Sequence, residues 1–312
     1  LTDELEKALW NEVIRDNIFV LCKTPMAKTI TERTLRGYTD VKTNTKYDPN
    51  LLENIENNVE EYSKKINDSK YWKKEGDKMN FKAIVGNPPY QNTTGGGQAQ
   101  ATPLYNKFVA FAIKVNPSYI SMIMPSRWFA GGFSILDDFR KSFVKNNHII
   151  SIDDYPNALD CFKNVNIKGG VCYFLYSSQY GGKCSFNTYS GAKLISTSSR
   201  FLIEEGCETI IRNNDAISIL NKVRSYSEGS FSTLIGKLWP FINVSNFDTL
   251  SHNKNHDDDV YAFVLKNKGW ISRKEIIKNE ELLDKWKLFI PRSIGSGNPK
   301  TDVVKPIIGG PN

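Results

Sequence analysis

The sequence predicts an α/β protein: a region in which strands alternate with helices, followed by a looser α+β region. Three observations carry this. Short apolar runs at 17–22, 81–86, 119–124, 149–154 and 171–176 alternate with amphipathic stretches, the spacing of βαβ units and a mainly parallel sheet. The alternation stops at the turn Tyr180-Gly181-Gly182-Lys183, where glycines break regular structure. The chain has 312 residues, 40% hydrophobic and 24% charged, enough for two folded domains, here divided at 180/181.

Taken in order, residues 3–16 form a helix, then 17–22 a short strand. Leu51, Leu52, Ile55, Val59, Tyr62 and Ile66 recur at helical spacing, so 50–66 is expected to be one helix. The strand 81–86 leads into a loop with three consecutive glycines, Gly95, Gly96 and Gly97. A helix over 103–116, a strand over 119–124, a helix over 133–146 and a strand over 149–154 follow, and 171–176 is apolar on both faces. Past residue 180 short strands are expected, with helices near 213–226 and 272–286.

Composition excludes several classes. No run reaches the roughly 18 apolar residues of a membrane span, and Leu1-Thr2-Asp3 opens no basic-then-apolar secretion signal, so a cytoplasmic protein is expected. Leu1 in place of Met, and a close that reads as an interrupted strand and turn, are expected of a piece of a longer protein. Cys22, Cys161, Cys172, Cys184 and Cys207 show no Cys-x-x-Cys spacing, which indicates reduced, buried thiols. The net charge of +7 divides as −1 over 1–80, +4 over 81–180 and +4 over 181–312. That excess is compatible with phosphate backbones without requiring them.

The most specific signal is Asn87-Pro88-Pro89-Tyr90, at the end of the strand 81–86, where open α/β sheets bind ligands. The exocyclic amine of adenine is a poor nucleophile because its lone pair is delocalised into the ring. Methylating it requires both hydrogens to be held while the nitrogen becomes tetrahedral. The Asn87 side-chain oxygen and the Pro88 carbonyl are two acceptors suited to this, and they act on charge that develops only as the methyl arrives. Pro88 and Pro89 lock φ and bring no competing N–H. Tyr90 offers a flat face to an unstacked base. The plain alternative is a proline-rich turn after a strand.

Longer segments resemble a known family. Residues 81–91, Pro103-Leu104-Tyr105-Asn106-Lys107-Phe108, Ile123-Met124-Pro125-Ser126-Arg127-Trp128, Asp160-Cys161-Phe162 and 167–175 together resemble adenine-N6 DNA methyltransferases of type II restriction-modification systems, the Eco57I-like methylases. The resemblance implies a partial Rossmann-like methyltransferase sheet over 1–180 and an incomplete α+β target-recognition domain over 181–312. It implies S-adenosylmethionine as cofactor, double-stranded DNA as partner, and a bacterial cytoplasmic setting. Asn87, Pro88, Pro89 and Tyr90 would be catalytic, Phe162 would lie on the base's other face, and Asn87 and Pro88 would touch the methionine end of the cofactor. Ser126, Arg127 and Trp128 line the cleft or are a packed Trp with a solvated Arg.

The pattern is also broken. No glycine-rich turn precedes Asn87, and the strand 17–22 ends in Cys22-Lys23 without a carboxylate for a ribose. The first strand and its loop are expected before Leu1. Asn243, Asn246 and Arg292, with the loop 291–297, are candidates for DNA contact, though each also reads as ordinary surface. His252 and His256 with Asp257, Asp258 and Asp259 sit in a polar stretch, so no metal site is expected. Asp40-Val41-Lys42 is half of a nuclease motif; a nuclease is expected outside the chain if anywhere. Protein-glutamine or RNA-adenine methylation, and DNA binding without activity, remain the competing functions.

Overall fold

The computed structural model describes residues 2–92, 102–131, 134–165, 167–226, 250–264, 267–276, 279–289 and 307–309. The chain forms two compact units, Leu1–Ser225 and Tyr226–Asn312.

The first unit runs α1 (Asp3–Asn17), β1 (Phe19–Cys22), α2 (Pro25–Arg36), β2 (Asn44–Tyr47), α3 (Leu51–Asn57), α4 (Val59–Asn67), α5 (Ser69–Trp72), β3 (Ala83–Gly86), α6 (Tyr105–Val115), β4 (Tyr119–Pro125), α7 (Ser134–Val144), β5 (Ile149–Tyr155), β6 (Val171–Tyr176), β7 (Cys184–Ser190), β8 (Lys193–Arg200) and α8 (Asp215–Arg224). Local chemistry explains the boundaries. Thr24 accepts a hydrogen bond from the Ala27 N–H, Pro25 stands at the first helical position, and Gly37 at φ 58° ends α2. The single helix expected over 50–66 is two, because Asn58 at φ −130° breaks it. Leu51, Ile55, Tyr62 and Ile66 nevertheless share one core, so the periodicity survives the break.

The main sheet has the order β3-β4-β6-β5-β7-β8. It is mixed rather than mainly parallel: β3–β4 and β5–β7 are parallel, the other three pairings antiparallel. The reason lies in the connection 156–170. Among its described residues it holds one short 3-10 turn, Ala158–Asp160, and no crossover helix of the kind a parallel return usually uses. β6 therefore returns antiparallel between β4 and β5. One face packs Ile120, Met122, Met124, Ile152, Cys172, Phe174 and Phe186 against α6 and α7 in a continuous core. β1 and β2 pair in parallel as a separate two-stranded sheet.

Two further expectations need correction. The turn at 180–183 is not the edge of the first unit: β7 pairs with β5 in parallel and β8 with β7, so the sheet continues to Arg200 and the unit to Ser225. A glycine turn breaks regular structure locally without ending a ladder. The helix near 272–286 is replaced, among the described residues, by short 3-10 turns Arg273–Glu275 and Glu280–Leu282. Ser272 caps the first, and Asn279 at φ 51° interrupts before the second.

The second unit contains the antiparallel pair β9 (Val260–Val264) and β10 (Asn267–Ile271), and the pair β11 (Lys287–Phe289) and β12 (Ile307–Gly309). Val260, Ile271 and Leu283 form its small core with Leu250, Ala262 and Ile276. No helix among the described residues is long and apolar enough to cross a membrane.

Candidate functional site

Strand direction collects the sequence-predicted residues at one edge. β3 and β4 are parallel, so Gly86 and Pro125 end on the same side. β6 runs against both β4 and β5, and Val171 is paired with Pro125 on one flank and Tyr155 on the other. Asn87, Ser126, Pro156 and Gly170 therefore leave the sheet together.

Asn87 and Pro89 are exposed, Pro88 is buried and Tyr90 is half-buried. The chain doubles back after Tyr90: Leu104 N–H donates to the Tyr90 carbonyl at 3.1 Å, and Asn92 N–H donates to the Thr102 carbonyl at 3.0 Å. These bonds fix the motif against the start of α6 and occupy the Tyr90 carbonyl. Among the described residues no hydrogen bond reaches the Asn87 side chain or the Pro88 carbonyl. Among the described residues the enclosed Tyr90 hydroxyl has no partner, and burial raises its pKa to about 12. It is an uncharged donor at neutral pH.

Phe162, 72 positions along the chain, lies beside it. The two ring centroids are 6.5 Å apart with planes at 67°. The pair is therefore in edge-to-face contact, a favourable aromatic geometry. Phe162 N–H donates to the Ala158 carbonyl at 2.9 Å, and its ring packs on the cluster of Ile123, Ala158 and Val171. The loop is tied down at Asp160, whose carboxylate accepts from Gly191 N–H at 2.7 Å and from the Asn157 amide at 3.1 Å. At its far end Gly170 adopts φ 79°, and a Cβ there would lie 2.1 Å from the Tyr155 carbonyl oxygen.

Beneath the edge lies a network that sequence reasoning did not find. Asp154 is 0% exposed and accepts from Ser126 Oγ at 2.9 Å, from Arg212 Nε at 2.5 Å and from Arg212 Nη2 at 2.7 Å. Ser126 N–H donates to the Gly170 carbonyl at 3.0 Å. The ends of β4 and β5 and the Phe162 loop are thus joined through one buried carboxylate. A carboxylate closing an apolar strand was the only signal available; its partner lies 58 residues away. Of the triplet Ser126-Arg127-Trp128, Trp128 is fully packed in the core while Arg127 is exposed.

Among the described residues, the ends of β1 and β2 do not fit the adenosine end of S-adenosylmethionine. β1 ends in Cys22, Lys23 and Thr24, and the Thr24 hydroxyl is used to cap α2. Asp48, after β2, accepts from Asn50 N–H, Asn54 and the Tyr62 hydroxyl, leaving no carboxylate for a ribose there. β3 is paired on one side only among the described residues, with Val85 76% exposed. Gly95, Gly96 and Gly97, Asn243, Asn246, Arg292 and the loop 291–297 lie outside the described residues.

Residues 16–162 match the protein family described as Eco57I restriction-modification methylase, the resemblance already read from residues 81–177. The chain is 37% identical over 129 residues to an "Uncharacterized adenine-specific methylase" of Mycoplasma pneumoniae (strain ATCC 29342 / M129 / Subtype 1), a match covering 41% of this chain and 31% of that protein. The matched stretch thus spans less than a third of that relative's length. Among solved structures, a type I restriction-modification system methyltransferase subunit from Streptococcus thermophilus aligns with a TM-score of 0.37 at 12% identity over 69% of this chain and 43% of its own. A modification subunit from Vibrio vulnificus YJ016 aligns with a TM-score of 0.39 at 13% identity over 73% and 46%.

Proposed function

We propose that this chain carries the base-holding part of an adenine-specific DNA methyltransferase of a restriction-modification system, acting on adenine N6 in the bacterial cytoplasm. The observation that carries the reading is the arrangement at the end of β3. Asn87 and the Pro88 carbonyl, both without a hydrogen-bond partner among the described residues, directly precede Tyr90 in the chain, and the Tyr90 ring centroid lies 6.5 Å from that of Phe162. A base turned out of the duplex slides between the rings, and its amine donates one hydrogen to Asn87 Oδ1 and the other to the Pro88 carbonyl. Holding both hydrogens as the nitrogen becomes tetrahedral localises its lone pair, out of conjugation with the ring, and the same bonds strengthen as positive charge grows there. The prolines keep that geometry rigid, since neither can donate into the site.

S-adenosylmethionine is the methyl donor in this reading. Because the described ends of β1 and β2 offer its adenosine end no free carboxylate, only residues that act on the adenine are assigned roles. Target recognition is assigned to the second unit, 226–312; residues 181–225 of the stretch first expected for it belong with the sheet.

The test is labelled methyl transfer to unmethylated bacterial DNA by the longest natural polypeptide containing these residues, beside its Asn87→Ala variant and this chain alone. N6-methyladenine formed by the first and lost in the variant supports the reading. Label appearing in protein or RNA but not in DNA overturns it in favour of the carboxamide or RNA alternative. Duplex binding with no transfer by the longest polypeptide would leave a DNA-binding module.

A further inference from the structure

We infer that Arg127 grips a phosphodiester of the strand whose base enters the site, an inference that rests on the adenine reading above. The turn Ser126–Phe129 buries every side chain but one: Ser126, Trp128 and Phe129 are buried, and Arg127 is exposed. The turn is held from both sides. Asp154 takes the Ser126 hydroxyl, while the buried Arg140 donates to the Trp128 carbonyl at 3.0 Å and to the Ala130 carbonyl at 2.7 Å. The backbone that carries the guanidinium is thus fixed, which lowers the cost of binding.

Its position points to the ligand. Along the edge the strands run β3, β4, β6, β5, so the end of β4 stands between the Tyr90 motif and the loop carrying Phe162. The Arg127 stem lies over Gly169, 3.4 Å from where a Cβ would be, which leans the side chain toward that loop. Lys168, next to Gly169, is exposed as well. Among the described residues Arg127 forms no ion pair with a carboxylate. When a base lies between the two rings, the backbone of its nucleotide must pass over this rim. The planar guanidinium fork matches two phosphate oxygens, a geometry lysine lacks.

The experiment measures binding of a fluorescein-labelled duplex to this chain across a salt series, for the wild type, Arg127→Gln and Arg127→Lys, with KM for DNA measured in the longer polypeptide. One lost phosphate contact lowers the slope of log K against log salt by about 0.9. Arg127→Gln should show that drop and a raised KM for DNA. Arg127→Lys should keep the slope but bind more weakly, since the charge remains and the fork is gone. An Arg127→Gln slope and KM equal to the wild type would overturn the inference while leaving the adenine reading intact. So would a defect confined to S-adenosylmethionine affinity, which would make the bound anion the cofactor's carboxylate. A wild-type chain that binds no duplex would overturn the inference and weaken the adenine reading with it.

Discussion

Asp154 and Arg212, 58 residues apart, form a two-point ion pair with contacts of 2.5 and 2.7 Å, and the carboxylate is fully buried. A buried charge is tolerated only when its partners remain. Arg212→Ala is therefore expected to be more damaging than Asp154→Asn, because the first leaves a bare carboxylate inside and the second a neutral amide. Breaking such a pair costs about 3–5 kcal/mol, and the partial exposure of Arg212 favours the lower end. Urea unfolding of the two variants checks the order.

Gly170 is the second structural pivot. At φ 79° its Cβ position falls 2.1 Å from the Tyr155 oxygen and 2.6 Å from the Pro156 oxygen, both backbone atoms that cannot swing away. Gly170→Ala should destabilise by about 1–3 kcal/mol from the strained backbone alone, with the clash adding to it. The displaced Phe162 loop should also weaken base capture. Gly181→Ala meets no atom within 4 Å and is the control, both read in one denaturation series.

The base-holding roles separate by kinetics. Asn87 is exposed and bonded to nothing among the described residues, so Asn87→Ala should leave the unfolding midpoint in place. Its kcat should fall about 100- to 1000-fold, the usual loss for one transition-state acceptor or donor. Phe162→Ala should instead lose a stacking contribution of about 1–3 kcal/mol, seen as a weaker 2-aminopurine fluorescence change, and Phe162→Tyr should restore most of it. Equal loss in Phe162→Ala and Phe162→Tyr would remove stacking from the account.

Alkaline pH should unfold the protein early. Burial pushes the Cys172 thiol from its ordinary 9.0 up to about 12, and Cys184 likewise to about 12. Between those values the folded thiol keeps its proton while the unfolded chain releases it. Stability is then full below pH 9 and falls as pH rises, by at most about 1.4 kcal/mol per pH unit for each group. The Tyr90 phenol, raised from 10.0 to about 12, adds to the slope above pH 10. Cys172→Ala should flatten the curve from pH 9 upward, as followed by thermal melts.

Much of the fold was legible because periodicity is local. The strands over 119–125, 149–155 and 171–176 and the helices of α6 and α7 stand within about two residues of their expected bounds. What escaped has identifiable causes. Helix α2 and strand β2 carry weak apolar patterns, and only Thr24-Pro25, a cap followed by a first-turn proline, marked the helix start. The helix expected near 272–286 failed where Asn279 takes a left-handed conformation, which periodicity does not register.

By itself the sequence determined the chemistry on offer: a carboxamide, two prolines and an aromatic ring at the end of an apolar strand, and the alternation that makes an α/β sheet. These depend on neighbours in the chain, so spacing reveals them. Only the tertiary structure decided that Tyr90 meets Phe162, that Asp154 meets Arg212, and that β6 returns antiparallel so that both loops leave one edge. Such contacts are set by strand order and direction, which arise from packing between distant segments and leave no mark on the residues in between.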